Sequence, residues 1–217
     1  MAIITVTSEY STGSQKVASG TAEKLGFEYV GDQLIAEIAR ELHVSKHEAD
    51  MFRQASQTSV LRFLDRYTCQ IIQRVVDHEH GCLDDDTYYL KTRELVERIY
   101  ENNDAVILGW GAQCILQGKP DTFHILLTKD DELKIRETMN LHRFSREGAE
   151  QRIRTEEADR KAYIAKFFNA DWMDSRLYDM VIDMGKRSIE EAVDMICDNA
   201  RHHLKSRKAP ICEQGGA

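Results

Sequence analysis

Ser11, Thr12, Gly13 and Ser14 stand between a β-branched run, Ala2 to Thr7, and an apolar helical pattern from Gln15 to Leu25. Small residues at such a junction let several backbone N–H groups converge on one anion, and the positive end of the following helix adds to the attraction. Phosphate is the ligand this chemistry suits. The strict P-loop pattern GxxxxGK[ST] is absent. With Gly13 as the glycine before the usual lysine, Ser14 stands at the lysine and Gln15 at the magnesium-ligating hydroxyl. Lys16 follows, but one further residue along a helix turns its side chain by about 100°. An ordinary polar loop that caps a helix is the plainer alternative.

A second group of chemically apt residues lies between Lys134 and Lys166. Nine basic side chains, among them Arg152, Arg154 and Arg160, face six acidic ones there, in a chain whose formal charge is −8. Arginine's planar fork suits bidentate phosphate binding. Arg152, Arg154 and Arg160 could therefore close over phosphates as a lid, neutralising charge and excluding water. The plainer reading is a solvated helix pair laced by i,i+4 ion pairs, with Glu156–Arg160 and Glu157–Lys161 at that spacing.

Positioning these groups requires a scaffold, and the hydrophobic pattern supplies one. Short continuous apolar runs occur at Ala105–Leu108, His124–Thr128 and Tyr178–Asp183, with Ala2–Thr7 before them and Phe27–Val30 as a fifth. Such runs suit a parallel sheet covered by helices on both faces. Helical patterns fall between them: Gln15 to Leu25 stopping at Gly26, stripes from Leu34 to Val76, Leu90 to Tyr100, a charged stretch from Glu132 to Phe168, and Ser188 to Leu204. Ser188 and Glu191 have capping-box spacing, as do Ser45 and Glu48. The expected fold class is α/β, a three-layer sandwich.

Composition excludes several alternatives. The chain has 217 residues, 42% of them hydrophobic, enough for one medium domain with a lid. An acidic balance argues against a general nucleic-acid binder or an anionic-membrane binder. No apolar run approaches a membrane span, and the opening residues do not resemble a secretory signal. Five cysteines without a CxxC pair read as reduced thiols in a cytoplasmic protein. His78, His80 and Cys82 before Asp84, Asp85 and Asp86 form only a weak metal pattern. His43 and His47 lack the glutamate of an HExxH site, because Val44 occupies its position. Neither a nucleophile elbow nor a Rossmann GxGxxG is present.

The order of Ile4 to Ser14, Ala22-Glu23-Lys24-Leu25-Gly26, Val106 to Ala112, Asp159 to Ile164, and Asp171 to Ile182 resembles the cytidylate kinase-like family, relatives of the nucleoside monophosphate kinases. The likeness runs from Ile3 to about Ala200. It implies a P-loop kinase fold and transfer of the γ-phosphoryl group of ATP, with Mg2+, to a nucleotide such as CMP or dCMP. On that resemblance, Ser11, Thr12, Gly13, Ser14 and Gln15 would wrap the donor phosphates. Asp32 would lie where the chain enters the acceptor region, Gly109 and Gly111 would flank the position, Trp110 here, that usually touches the acceptor phosphate, and Arg152 and Arg160 would be lid arginines. Lys16 and Arg154 complete the basic set.

The chain departs from this family where charge matters. Arginine is common at the position of Ser8, glycine at Ser11 and Ser14, a basic residue at Gln15, and arginine at Trp110. Trp110 could stack on a base or pack against a helix; its indole has one donor and no charge. Residues 1–204 are expected to form one domain, with a helical acceptor region at about 31–104, a basic lid at about 132–168 and a flexible tail at 205–217. The partner is a small-molecule nucleotide, and a homodimer is an option. Phosphoryl transfer leads, and a catalytically degenerate nucleotide-binding or scaffold protein is the alternative.

Overall fold

The computed structural model describes residues 1–31 and 85–206. Asp32, the stripes from Leu34 to Val76, the Ser45–Glu48 box, His43, His47, His78, His80, Cys82 and Asp84 lie outside the described residues.

Five parallel strands form one sheet in the order β2-β3-β1-β4-β5. They are β1 (Ile3–Ser8), β2 (Glu28–Val30), β3 (Ala105–Leu108), β4 (Thr122–Thr128) and β5 (Met180–Asp183). Alternation along each strand divides the core in two. Ile3, Ala105, Ile107 and Leu126 pack on one face with Leu95, Val96, Tyr163 and Ile164. Ile4, Val6, Val106, Ile125 and Leu127 pack on the other with Val17, Ala18, Ala192, Val193 and Ile196. Covered on both sides, the central strands need no polar face, which is why β3 and the Ile125–Leu127 part of β4 read as unbroken apolar runs.

Helices α1 (Ser14–Leu25) and α6 (Ile189–Ser206) cover the second face. On the first lie α2 (Asp85–Asn102), the short α3 (Ala112–Ile115) and the C-terminal half of α5 (Arg146–Phe168). Gly26 ends α1 with φ +70°, its N–H donating to the carbonyls of Ala22 and Glu23. Ser188 and Glu191 form the expected reciprocal cap: the Ser188 N–H donates to Glu191 Oε2 at 2.9 Å and the Glu191 N–H to Ser188 Oγ at 3.1 Å.

The charged stretch from Glu132 to Phe168 is two helices. α4 (Asp131–His142) ends at Arg143, whose φ is +55°, and Ser145 then caps α5 by accepting from the Gly148 N–H at 3.2 Å. α6 runs through Ser206, past the expected start of the tail at Lys205. No described helix is long and apolar enough to cross a membrane.

Candidate phosphate-binding site

In a parallel sheet all strands point the same way, so the loops leaving β1, β3, β4 and β5 gather at one edge. The loop leaving β1 carries the residues singled out above. Thr12 anchors it, donating its hydroxyl proton to the Glu9 carbonyl at 3.0 Å. Ser11 and Gly13 both take left-handed backbone angles, φ +58° and +74°. Left-handed residues alternating with right-handed ones make a concave nest of amides. The Gly13 carbonyl accepts from the Lys16 and Val17 N–H groups and starts α1. Among the described residues, the N–H groups of Gly13, Ser14 and Gln15 have no protein acceptor. Three consecutive donors at the positive end of a 12-residue helix are what an anion needs.

That loop opens onto a cleft of about 890 Å3 lined by residues 11–16 together with Lys129 just past β4, residues from α4, the β5–α6 connection and the first residue of α6. Its charged lining is Lys16, Lys129, Arg187 and Glu137, an excess of positive charge in an acidic protein. Lys129 was outside the basic stretch read from sequence. It follows directly on β4, and β4 pairs with β1 through Ser8, so it emerges beside the loop. Its Nζ donates to the Ser11 carbonyl at 2.8 Å and to Glu137 Oε2 at 2.7 Å.

Of the arginines expected to form a lid, none lines this cleft. Arg152 pairs with Glu156 at 2.8 Å, and Arg154 is exposed on α5; neither lines the cleft. Arg160 alone of the three reaches the carboxyl edge of the sheet. Its guanidinium donates to the Ser8 carbonyl and lies over the Trp172 ring, 5.1 Å from the centroid.

Lys134 has the opposite fate to an anion-binding lysine. Its side chain is 1% exposed and meets Asp131 at 2.7 Å, Glu157 at 2.9 Å and Glu9 at 3.1 Å. Burial alone would pull its pKa down; hydrogen bonds to Asp131, Glu157 and Glu9 outweigh this and hold it above the usual lysine value. Glu157, which has i,i+4 spacing to Lys161, meets Lys134, and Glu156 meets Arg152. Glu157 Oε1 also accepts from the Tyr10 N–H at 3.4 Å, and Glu9 Oε2 from the Lys129 N–H at 2.7 Å. The network ties α4 and α5 to the root of the loop.

At the neighbouring strand end, Gly109, Trp110 and Gly111 all have positive φ, +84°, +65° and +68°. A left-handed conformation costs a non-glycine residue about 1–2 kcal/mol. Packing holds Trp110 in it: the residue is 6% exposed within the core cluster, and Tyr163 donates its hydroxyl proton to the Trp110 carbonyl at 3.4 Å. Trp110 thus packs in the core. Gly111 is tight for a different reason, since a Cβ there would lie 2.8 Å from Phe168 Cε2.

The model of the cytidylate kinase-like family matches residues 3–186. The chain belongs to this family. No curated protein matches the sequence. Among solved structures, an uncharacterized protein from Eubacterium ventriosum is similar over 93% of this chain and 99% of its own, with TM-score 0.66 and 20% identity. Shikimate kinase from Bacteroides thetaiotaomicron is similar over 92% of this chain and 98% of its own, with TM-score 0.51 and 14% identity. A gluconokinase from Sinorhizobium meliloti covers 95% of each chain, with TM-score 0.51 and 10% identity. These likenesses establish the P-loop kinase fold. In this cytidylate kinase-like chain the cationic residues lining the cleft are Lys16, Lys129 and Arg187.

Proposed function

We propose that this chain binds ATP through the loop from Ser11 to Lys16 and transfers its γ-phosphoryl group to a nucleoside monophosphate such as CMP or dCMP. The observation that carries this reading is the set of uncommitted amides of Gly13, Ser14 and Gln15 at the start of α1, opening on a cleft with excess positive charge. Family membership supports the nucleotide acceptor.

The amides would hold phosphate oxygens, while Lys16 and Arg187 neutralise the chain of charges. Arg160, beside the Ser8 carbonyl, would meet the transferring group where donor and acceptor converge. Gly109 and Gly111 would bound the acceptor side, with Asp32 as its further contact. Helices α4 and α5 would act as the lid, bringing Arg152 and Arg154 nearer when nucleotide is bound. An acceptor phosphate is already nucleophilic, so positioning and desolvation carry the rate rather than a general base.

The Ser14 hydroxyl and the Gln15 amide oxygen belong to cleft-lining residues and make no hydrogen bond among the described residues. They fit a magnesium ion that keeps several waters and takes its other ligands from phosphate. Bound there, the ion would supply charge neutralisation.

A coupled transfer assay with ATP and a panel of nucleoside monophosphates tests the proposal, with shikimate and gluconate as further acceptors. Transfer that requires a monophosphate is expected. Absence of transfer with every monophosphate, from folded protein, rejects it. A second reading, nucleotide binding without catalysis, draws support from the burial of Trp110 and the engagement of Arg160 by a backbone carbonyl. Saturable ATP binding without transfer is its signature.

A further inference from the structure

Lys129 is built into the cleft more firmly than a surface lysine. Its side chain is 8% exposed. Its own N–H donates to Glu9 Oε2 at 2.7 Å, and Glu9 Oε1 is in turn held by Lys134 at 3.1 Å. The Glu9 N–H donates to the Leu127 carbonyl at 2.9 Å, fixing the ends of β1 and β4 against each other. From this base the Lys129 stem reaches back over the loop to the Ser11 carbonyl and Glu137. An ammonium group has three donors, and these two contacts use two. Ser11 Oγ donates to the same Glu137 oxygen at 3.3 Å, so the carboxylate caps loop and lysine together.

The loop itself carries Ser14 where a P-loop has its lysine. The neighbouring strand brings an ammonium group to the same loop from outside it. We infer that Lys129 is a phosphate-binding cation of this cleft, delivered from the end of β4 in place of a lysine within the loop, with Glu137 as its counterion until a polyphosphate arrives. This rests on the reading of the loop as a phosphate site. An arriving phosphate oxygen takes the third donor or displaces Glu137, and Glu137 then turns from partner to repulsive neighbour.

The test is titration of the full chain and of K129M, K129R and E137Q with ATP, adenosine and tripolyphosphate by calorimetry, thermal melts confirming the fold of each. Loss of one charge-assisted contact lowers ATP affinity about 10- to 100-fold in K129M. Tripolyphosphate affinity falls with it, and adenosine binding holds. K129R retains part of the ATP affinity, and E137Q binds ATP as tightly as the parent or tighter. Undiminished ATP binding by K129M overturns the inference while leaving the phosphate site intact. Equal losses for ATP and adenosine in K129M also overturn it, because they mark a lysine that only supports the loop. A parent chain that binds neither ATP nor tripolyphosphate overturns the inference together with the reading beneath it.

Discussion

Lys134→Met removes the ammonium that, among the described residues, pairs with three carboxylates, Glu9, Asp131 and Glu157. Asp131 is 85% exposed, so water screens it and its share is small. Glu9 and Glu157 are 14% and 24% exposed, close to a buried ammonium at 1%. Breaking a buried pair from one side costs about 3–5 kcal/mol; the partial exposure of both partners points to the lower end, about 3 kcal/mol. For a chain of this size that is a fall in Tm of roughly 6–12 °C. Urea denaturation of parent, K134M, E157Q and the double variant measures it. A positive coupling of about 1 kcal/mol or more between Lys134 and Glu157 is expected, since each single change strands the other charge. The lysine pKa is raised in the fold. Its stabilisation is therefore complete below the ordinary lysine value of about 10.4 and lost as pH rises through the higher folded value. The gap between parent and K134M should stay level from about pH 7 to about pH 9. A K134M protein within about 1 kcal/mol of the parent would refute the view that this network carries the α4–α5 junction.

Gly111→Ala forces a side chain into a left-handed position, φ +68°, and sets its Cβ 2.8 Å from Phe168. A loss of about 2 kcal/mol or more is expected by denaturant titration; a neutral change would show that α5 yields easily. Burial pushes the Cys114 thiol up to about 12, so it should stay protonated and resist iodoacetamide at about pH 8. The same shift makes its contribution to stability fall as pH rises from the ordinary thiol value, about 8.5, toward about 12. Rapid labelling of the folded protein at that position, read by peptide mass spectrometry, would contradict it.

Much of the scaffold was legible because its signals are local. Ala105–Leu108 is an apolar run bounded by polar residues and glycine, and β3 has those limits. Gly26 stops α1, and Ser188 with Glu191 caps α6, since each signal acts within one turn. The α4–α5 break was hidden because no glycine or proline marks it; Ser145 is the only helix-start residue there, and Arg143 adopts the left-handed angle itself. Charge partners were least legible. Spacing offers Glu157 partners within one turn, such as Lys161, whereas folding offers it Lys134, 23 residues away and shielded from water. For the same reason Lys129, one residue past a strand, gave no sign of the loop it meets; only the β1–β4 pairing brings it there. The loop itself was readable from Ser11, Thr12, Gly13 and Ser14, whereas the outcome for Trp110 depended on packing by distant residues such as Tyr163.

The central claim is that the amides opening α1 gather phosphate. Amide-resolved NMR of 15N-labelled protein during ATP titration tests it most directly. Saturable shifts of the Gly13, Ser14 and Gln15 resonances with ATP, and none with adenosine, are predicted. Saturable ATP binding that leaves those three resonances unmoved would contradict it.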